Sequence, residues 1–144
     1  TFSLMSARMK LNGISTPLPT DQRFGVNFYF TDYFPGTDRW KMSLKLAYAD
    51  GLPFSAPHRE LERNTFRAPA YRRVDLGMSY RLVDNTAKPK STIRNIWLGL
   101  DGLNLLGINN VNSYYWITDV ANRQYAVPNF LTGRQINGKI TIEL

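Results

Sequence analysis

Tyr114-Tyr115-Trp116, followed closely by Asp119, Asn122 and Arg123, is the densest aromatic and polar group in the chain. Aromatic faces beside a few charged and amide groups could hold a glycan or a peptide, the rings supplying contact area and the polar neighbours orientation. The same residues would equally build an extended β-hairpin, with Asp119-Val120-Ala121-Asn122 closing its turn and the aromatics resting on lipid headgroups or neighbouring loops. Acidic residues are too few and too irregularly spaced there for a calcium loop. His58 is the only histidine, beside Arg59, Glu60 and Glu62. No further ligands stand at zinc spacing, so it reads as a solvated loop residue. Ser55 near His58 invites comparison with a hydrolase, but no strand carries a base and an orienting acid in matched phase. Gly99 and Gly102 lack the strand–loop–helix setting of a phosphate site and would instead relieve crowding in a curved sheet. With no cysteine, disulfides, thiolate metal sites and cysteine nucleophiles are excluded. The reading therefore assigns no catalytic residue, metal or cofactor.

The net charge is +7 with an isoelectric point near 9.9, a balance that raises the question of nucleic acid. No Lys/Arg run supports it, since the charges are spread along the chain, and no nucleic-acid partner is expected. Their spacing points elsewhere. In 135–144, Ile136, Gly138, Ile140, Ile142 and Leu144 alternate with Gln135, Asn137, Lys139, Thr141 and Glu143. Val74, Leu76, Met78, Tyr80 and Leu82 alternate with Arg73, Asp75, Gly77, Ser79 and Arg81. Trp40, Met42, Leu44, Leu46 and Tyr48 alternate with Arg39, Lys41, Ser43, Lys45 and Ala47. Phe24–Phe30 alternates likewise; the phase is looser around Ile96, Leu98 and Leu100, where Trp97 faces the other way, and Phe2–Leu11 is an expected strand of ambiguous phase. Period two is the strand signal.

These segments predict an all-β chain of about six antiparallel strands, each about 9–11 residues, the length that crosses a bilayer at a tilt. Ordinary globular strands are shorter, at about 5–6 residues. Trp40 and Tyr48 lie near both ends of one apolar face, as interfacial girdles require. Arg39, Lys41, Lys45, Arg73, Asp75, Arg81, Lys139 and Glu143 all share the polar phase, which would face a barrel lumen. A Lys or Arg turned to lipid at mid-bilayer would cost about 2–4 kcal/mol, and the phase avoids it. Such lumen charges could be neutralised by their neighbours, pair with acidic groups of a plug, or attract an anionic solute.

Connection lengths give an orientation. Pro35-Gly36-Thr37-Asp38 is a tight turn, whereas Asn12–Gln22, Asp50–Tyr71 and Gly107–Arg134 are long. Outer-membrane barrels keep short turns on the periplasmic side and long loops outside, so a periplasmic C-terminus places these three outside. Val83–Arg94, with its polar Asp84–Lys90 stretch, is the exception, a long periplasmic loop. Six spanning strands do not close a barrel, because single-chain bacterial barrels begin at about eight. Open edges in lipid would leave backbone groups unpaired, at several kcal/mol each. The expectation is therefore a fragment of a larger barrel, with assembly from several copies as the alternative.

The order of short motifs is similar to a known family. They are Pro19-Thr20-Asp21-Gln22-Arg23 before an aromatic strand, Tyr48-Ala49-Asp50-Gly51-Leu52-Pro53-Phe54, Phe66–Gly77, Asn104-Leu105-Leu106-Gly107-Ile108, Tyr125–Asn129, and Thr132-Gly133-Arg134. Nearly the whole chain resembles the C-terminal barrel region of Bacteroidota-type TonB-dependent outer-membrane receptors. The resemblance implies that residues 1–144 are the C-terminal part of a barrel of about twenty-two strands whose lumen is plugged. It implies a missing N-terminal plug and TonB box, uptake of a scarce or bulky ligand driven by the inner-membrane TonB complex, and no enzyme activity. It further implies outer-membrane lipid and the rest of the barrel as partners, and leaves room for a surface lipoprotein over the loops. Tyr114, Tyr115, Trp116, Asp119 and Arg123 become candidate ligand contacts in an outer loop. One departure is the end: such barrels tend to finish in an aromatic residue, and this chain finishes in Leu144. Another outer-membrane barrel, enzyme or adhesin, and a soluble β-sandwich binding module remain the alternatives.

Overall fold

In the computed structural model, residues 1–11, 13–57, 64–86 and 92–144 are described. Alternating apolar and polar side chains suit a pleated ribbon and no helix, and among these residues every regular element is a strand. In chain order they are β1 (Phe2–Leu4), β2 (Arg8–Leu11), β3 (Ile14–Pro17), β4 (Phe24–Tyr33), β5 (Trp40–Ala49) and β6 (Pro53–Phe54). There follow β7 (Phe66–Arg67), β8 (Tyr71–Asp84), β9 (Asn95–Leu103), β10 (Val111–Thr118), β11 (Gln124–Phe130) and β12 (Gln135–Glu143). One antiparallel sheet has the order β1-β4-β5-β8-β9-β12, and β2–β3, β6–β7 and β10–β11 are separate two-stranded ribbons. The chain divides into two compact units, residues 1–27, 47–72 and 108–133 in one and 28–46, 73–107 and 134–144 in the other.

The second unit holds most of the long strands. β12 pairs with β9 without a slip from Gln135↔Leu103 to Glu143↔Asn95, and β9 pairs with β8. Residues directly opposite share a face, so Ser79, Gly99 and Lys139 form one row and Tyr80, Leu98 and Ile140 a row on the other side. Trp97 falls between Arg81 and Thr141, on the polar face, as its phase predicts. A bulge between Arg81 and Val83 shifts the pattern by one, so that Asp84, Asn95 and Glu143 line up. The Pro35–Asp38 turn forms as expected: Phe34 accepts from the Thr37 N–H at 3.2 Å, and Gly36 takes φ +81°. Proline followed by a positive-φ glycine is the type II signature.

The first unit corrects the expected strands. Phe2–Leu11 is not one strand: β1 pairs with β4 over three residues only, and Arg8–Leu11 turns to β3. The switch has a chemical cause. The Ala7 N–H donates to the Asp21 carboxylate at 2.7 Å and the Leu18 N–H to the Ala7 carbonyl at 2.8 Å, which draws the chain off β4. The sheet therefore has five strands of 9–14 residues and one of three, rather than six of equal length. Two connections expected as long loops, Asp50–Tyr71 and Gly107–Arg134, carry ribbons of their own, β6–β7 and β10–β11. β2 pairs with β3 from Arg8↔Pro17 to Leu11↔Ile14, and Gly13, before β3, takes φ +83°; the sequence carries an Asn-Gly hairpin signal at this point.

No Val, Leu, Ile, Met, Phe, Tyr or Trp side chain is buried among the described residues. Apart from Pro53, the buried side chains among the described residues are polar: Thr16, Asp21, Asp50, Asn95, Asn104 and Asn110. Ile136, Ile140 and Leu100 are 69%, 68% and 59% exposed. An ordinary water-soluble domain hides these residue types first.

Candidate functional site

The first unit gathers its chemistry in the long connections. Arg67, at the end of β7, donates through Nη1 to the Asp21 carbonyl (2.7 Å), the Gly51 carbonyl (2.8 Å) and Asp50 Oδ2 (3.0 Å). Its Nη2 reaches Asp21 Oδ2 at 2.8 Å. Arg23 Nε meets the same Asp50 oxygen at 2.6 Å. Two largely buried carboxylates are thus bound by two arginines, and one planar guanidinium ties three segments together. The Ala7 N–H and then Arg67 hold the Asp21 carboxyl below its usual range. The Arg23 guanidinium does the same for Asp50, against the upward push of burial.

The aromatic group lies beside this network's loop. Tyr114 stacks on Phe54 with ring centroids 4.3 Å apart, and Phe54 stacks on Phe66 at 5.6 Å. Trp116 Nε1–H donates to the Ser55 carbonyl at 3.1 Å. Strand alternation turns Tyr115 to the opposite face, 60% exposed and across from Val127. Asp119 builds the β10–β11 turn, accepting the Ala121 and Arg123 N–H groups at 2.9 and 2.8 Å. Asn122 supplies the turn's positive φ, 60°. The five expected ligand contacts are therefore divided: Tyr114 and Trp116 against β6 and its following residue, Tyr115 outward, and Asp119 and Arg123 in the turn. A cavity of about 170 Å³ opens beside Tyr114, lined also by Gln22, Asp50, Phe54, Tyr71 and Asn112.

Ser55 does not resemble a nucleophile. Its hydroxyl donates to Asn64 Oδ1 at 3.0 Å and accepts the Asn64 N–H at 2.9 Å, while Asn64 Nδ2 donates to the Pro17 carbonyl. His58, Arg59, Glu60 and Glu62 lie outside the described residues, as do residues 87–91 of the expected periplasmic loop. Among the described residues no group of acidic and histidine side chains could hold a metal.

The second unit carries the charges expected on the polar face. Lys139 Nζ reaches Asp101 Oδ2 at 2.9 Å across the β9–β12 pair. Gly99 makes this crossing possible, because a Cβ there would lie 2.5 Å from Lys139 Cε. Arg73 pairs with Asp75 at 2.7 Å, and Asp75 also accepts the Asn104 N–H at 2.8 Å. Arg81 binds Asp38 and Asp84 and stacks over the Trp97 ring at 5.4 Å. Glu143 accepts from Asn95 Nδ2 at 2.6 Å. Among the described residues Arg39, Lys41 and Lys45 have no carboxylate within 4.0 Å; Lys41 lies over the Tyr33 ring at 5.7 Å. A recess of about 240 Å³ opens beside it.

Sequence reasoning missed Arg67 and the Asp21–Asp50 pair. All three stand inside the quoted motifs, but their meeting depends on chain reversals far apart in sequence. Comparison with protein-family models, curated proteins and solved structures finds no match.

Proposed function

We propose that this chain is wall and rim of an outer-membrane β-barrel transporter of the TonB-dependent class. It forms the C-terminal strands of a larger barrel, with the plug and the remaining strands elsewhere in the protein. The observation that carries the reading is an inverted pattern of burial. A six-stranded sheet leaves its apolar face exposed, pairs charges on its polar face, and buries no large apolar side chain among the described residues. A sandwich draws its stability from apolar side chains interdigitated between two sheets. A barrel wall draws its own from lipid on one side, and from closure of every backbone hydrogen bond.

Three further features support it. Five strands have spanning length. Trp40 packs at a tilt against Tyr80, ring centroids 4.6 Å apart, on the apolar face near the Pro35–Asp38 turn, and Phe24 against Tyr48 at 5.6 Å near the other strand ends, as aromatic girdles do. The connections read as extracellular are the ones that carry β3 and the β6–β7 and β10–β11 ribbons. In this reading the C-terminus is periplasmic and the eight alternating charges face the lumen. The aromatic β10–β11 ribbon belongs to the ligand vestibule, and a surface lipoprotein would sit over it. The transporter class itself rests on the motif resemblance.

The parent gene tests that class. The proposal expects a plug-coding region and a TonB box upstream in the same frame, and uptake that stops when the TonB complex is disabled. A complete frame of only these 144 codons would overturn it.

A further inference from the structure

The pairing of charges in the second unit is uneven. Arg73, Arg81 and Lys139 each hold a carboxylate. Arg39, Lys41 and Lys45 hold none within 4.0 Å among the described residues. These three share one phase at and along β5, so they form a row in which same-face neighbours stand about 7 Å apart and whose ends are about 20 Å apart. The facing residues of β4 in that phase, Tyr29, Thr31 and Tyr33, bring no acid. On the β8 side Asp75 lies within electrostatic reach of Lys45 and Asp84 within reach of Arg39, which leaves Lys41 as the cation of the row with no acid acting on it among the described residues. Beside the middle of this row opens the recess of about 240 Å³, lined by Tyr33, Lys41, Ser79, Trp97, Lys139 and Thr141. Each strand of the sheet except β1 contributes to it. Glu143, the one acid at its edge, is already held by Asn95.

Two hydroxyl-bearing strands, two aromatic rings and an ammonium without a counter-charge make a setting for an anion. We propose that the recess and the β5 row bind a polycarboxylate, one carboxylate seated at Lys41 between Tyr33 and Ser79 and the next along the row toward Lys45. The carboxylates belong either to an acidic peptide segment or to a free polycarboxylate solute, and the chemistry at Lys41 is the same for both. A planar carboxylate accepts from an ammonium and a hydroxyl together, and the aromatic walls reduce its competition with water. Lys139 stays with Asp101, so the seat depends on Lys41. The proposal rests on this face being the inside of the barrel, where such a row is shielded from lipid.

The test uses the intact protein in detergent at low salt, with Trp40→Phe and Trp116→Phe leaving Trp97 as this chain's reporter inside the recess. Hexaglutamate and citrate are titrated separately. The expected result is a saturable change in Trp97 emission that weakens with added salt. Lys41→Gln should weaken it by about tenfold, the order of one lost charge-assisted hydrogen bond. Lys41→Arg should retain binding and Arg134→Gln leave it unchanged. Response to hexaglutamate alone identifies a peptide source, and response to citrate a free solute. If Lys41→Gln fails to fold, Lys45→Gln carries the same test from the next cation. Silence with both probes, or binding by the folded glutamine variant equal to that of the parent protein, overturns the proposal. Neither result depends on whether the wall lies in lipid, which thiol labelling decides separately.

Discussion

Gly51 follows Asp50 where the chain leaves β5, and a Cβ there would lie 1.6 Å from the Ala68 carbonyl oxygen. That neighbour is backbone, which cannot swing away, so Gly51→Ala should destabilise the protein by about 3 kcal/mol, at the upper end of overpacking costs. Gly138 meets nothing within 4 Å, and Gly138→Ala should leave the denaturation midpoint almost unchanged. Denaturant melts of the two variants in one detergent check the contrast. The Arg67 network makes a second prediction at this scale. Asp21 and Asp50 have carboxyls held below the ordinary value of 3.8. Folded carboxyls that stay ionised longer than unfolded ones contribute stability that is complete above the unfolded value. That contribution is lost as pH falls through the lower folded value. The Trp116 indole resonance should therefore hold its position down to about pH 4 and shift below it, whereas in Arg67→Ala it is already displaced at neutral pH. An unchanged indole signal in that variant would separate the network from the ribbon it is argued to hold.

Elements were unevenly legible in the sequence, for physical reasons. Phase alone located β4, β5, β8 and β12, because one residue out of step would move every later side chain to the wrong face. Pro35-Gly36 announced its turn through backbone preference, which is local. The Asn12-Gly13 hairpin signal was equally local, yet it lay inside a segment read as a loop. The break in Phe2–Leu11 could not be read in advance, since it depends on the Asp21 carboxylate arriving from another segment. The same holds for the bulge at Arg81–Val83 and for the meeting of Arg67 with Asp21 and Asp50. Of the candidate ligand contacts, their place on a hairpin and the Asp119 turn were legible, whereas the seating of Tyr114 on Phe54 was not. That contact can be probed directly. Phe54→Ala removes the rings' stacking, about 1 kcal/mol beyond area burial. It should make backbone amides of Tyr114–Trp116 exchange severalfold faster while those of β9 and β12 stay as they are. Equal acceleration in both would mean that Phe54 supports the whole chain rather than one ribbon.

On the scale of the molecule, the sheet's two faces ask for two different surroundings. Leu98 and Ile140 share one row with Tyr80, and Ser79 and Thr141 lie in neighbouring rows on the reverse side, one residue away along each strand. No soluble arrangement of a single layer satisfies the first row, and burial in lipid would be costly for Lys139 and Asp101 beside the second. A wall between lipid and an aqueous lumen satisfies both. Because the chain has no cysteine, any thiol introduced into it can be followed by itself in this segment. The most direct measurement places single cysteines at Leu98, Ile140, Ser79 and Thr141 in the full-length protein in isolated native membranes, where the proposal puts it. Each is exposed to a lipid-soluble and to a strictly water-soluble maleimide. The account predicts that the first two react with the lipid-soluble reagent only, and that the last two are reached through water when the interior is opened. Equal labelling of both rows by the water-soluble reagent would contradict it.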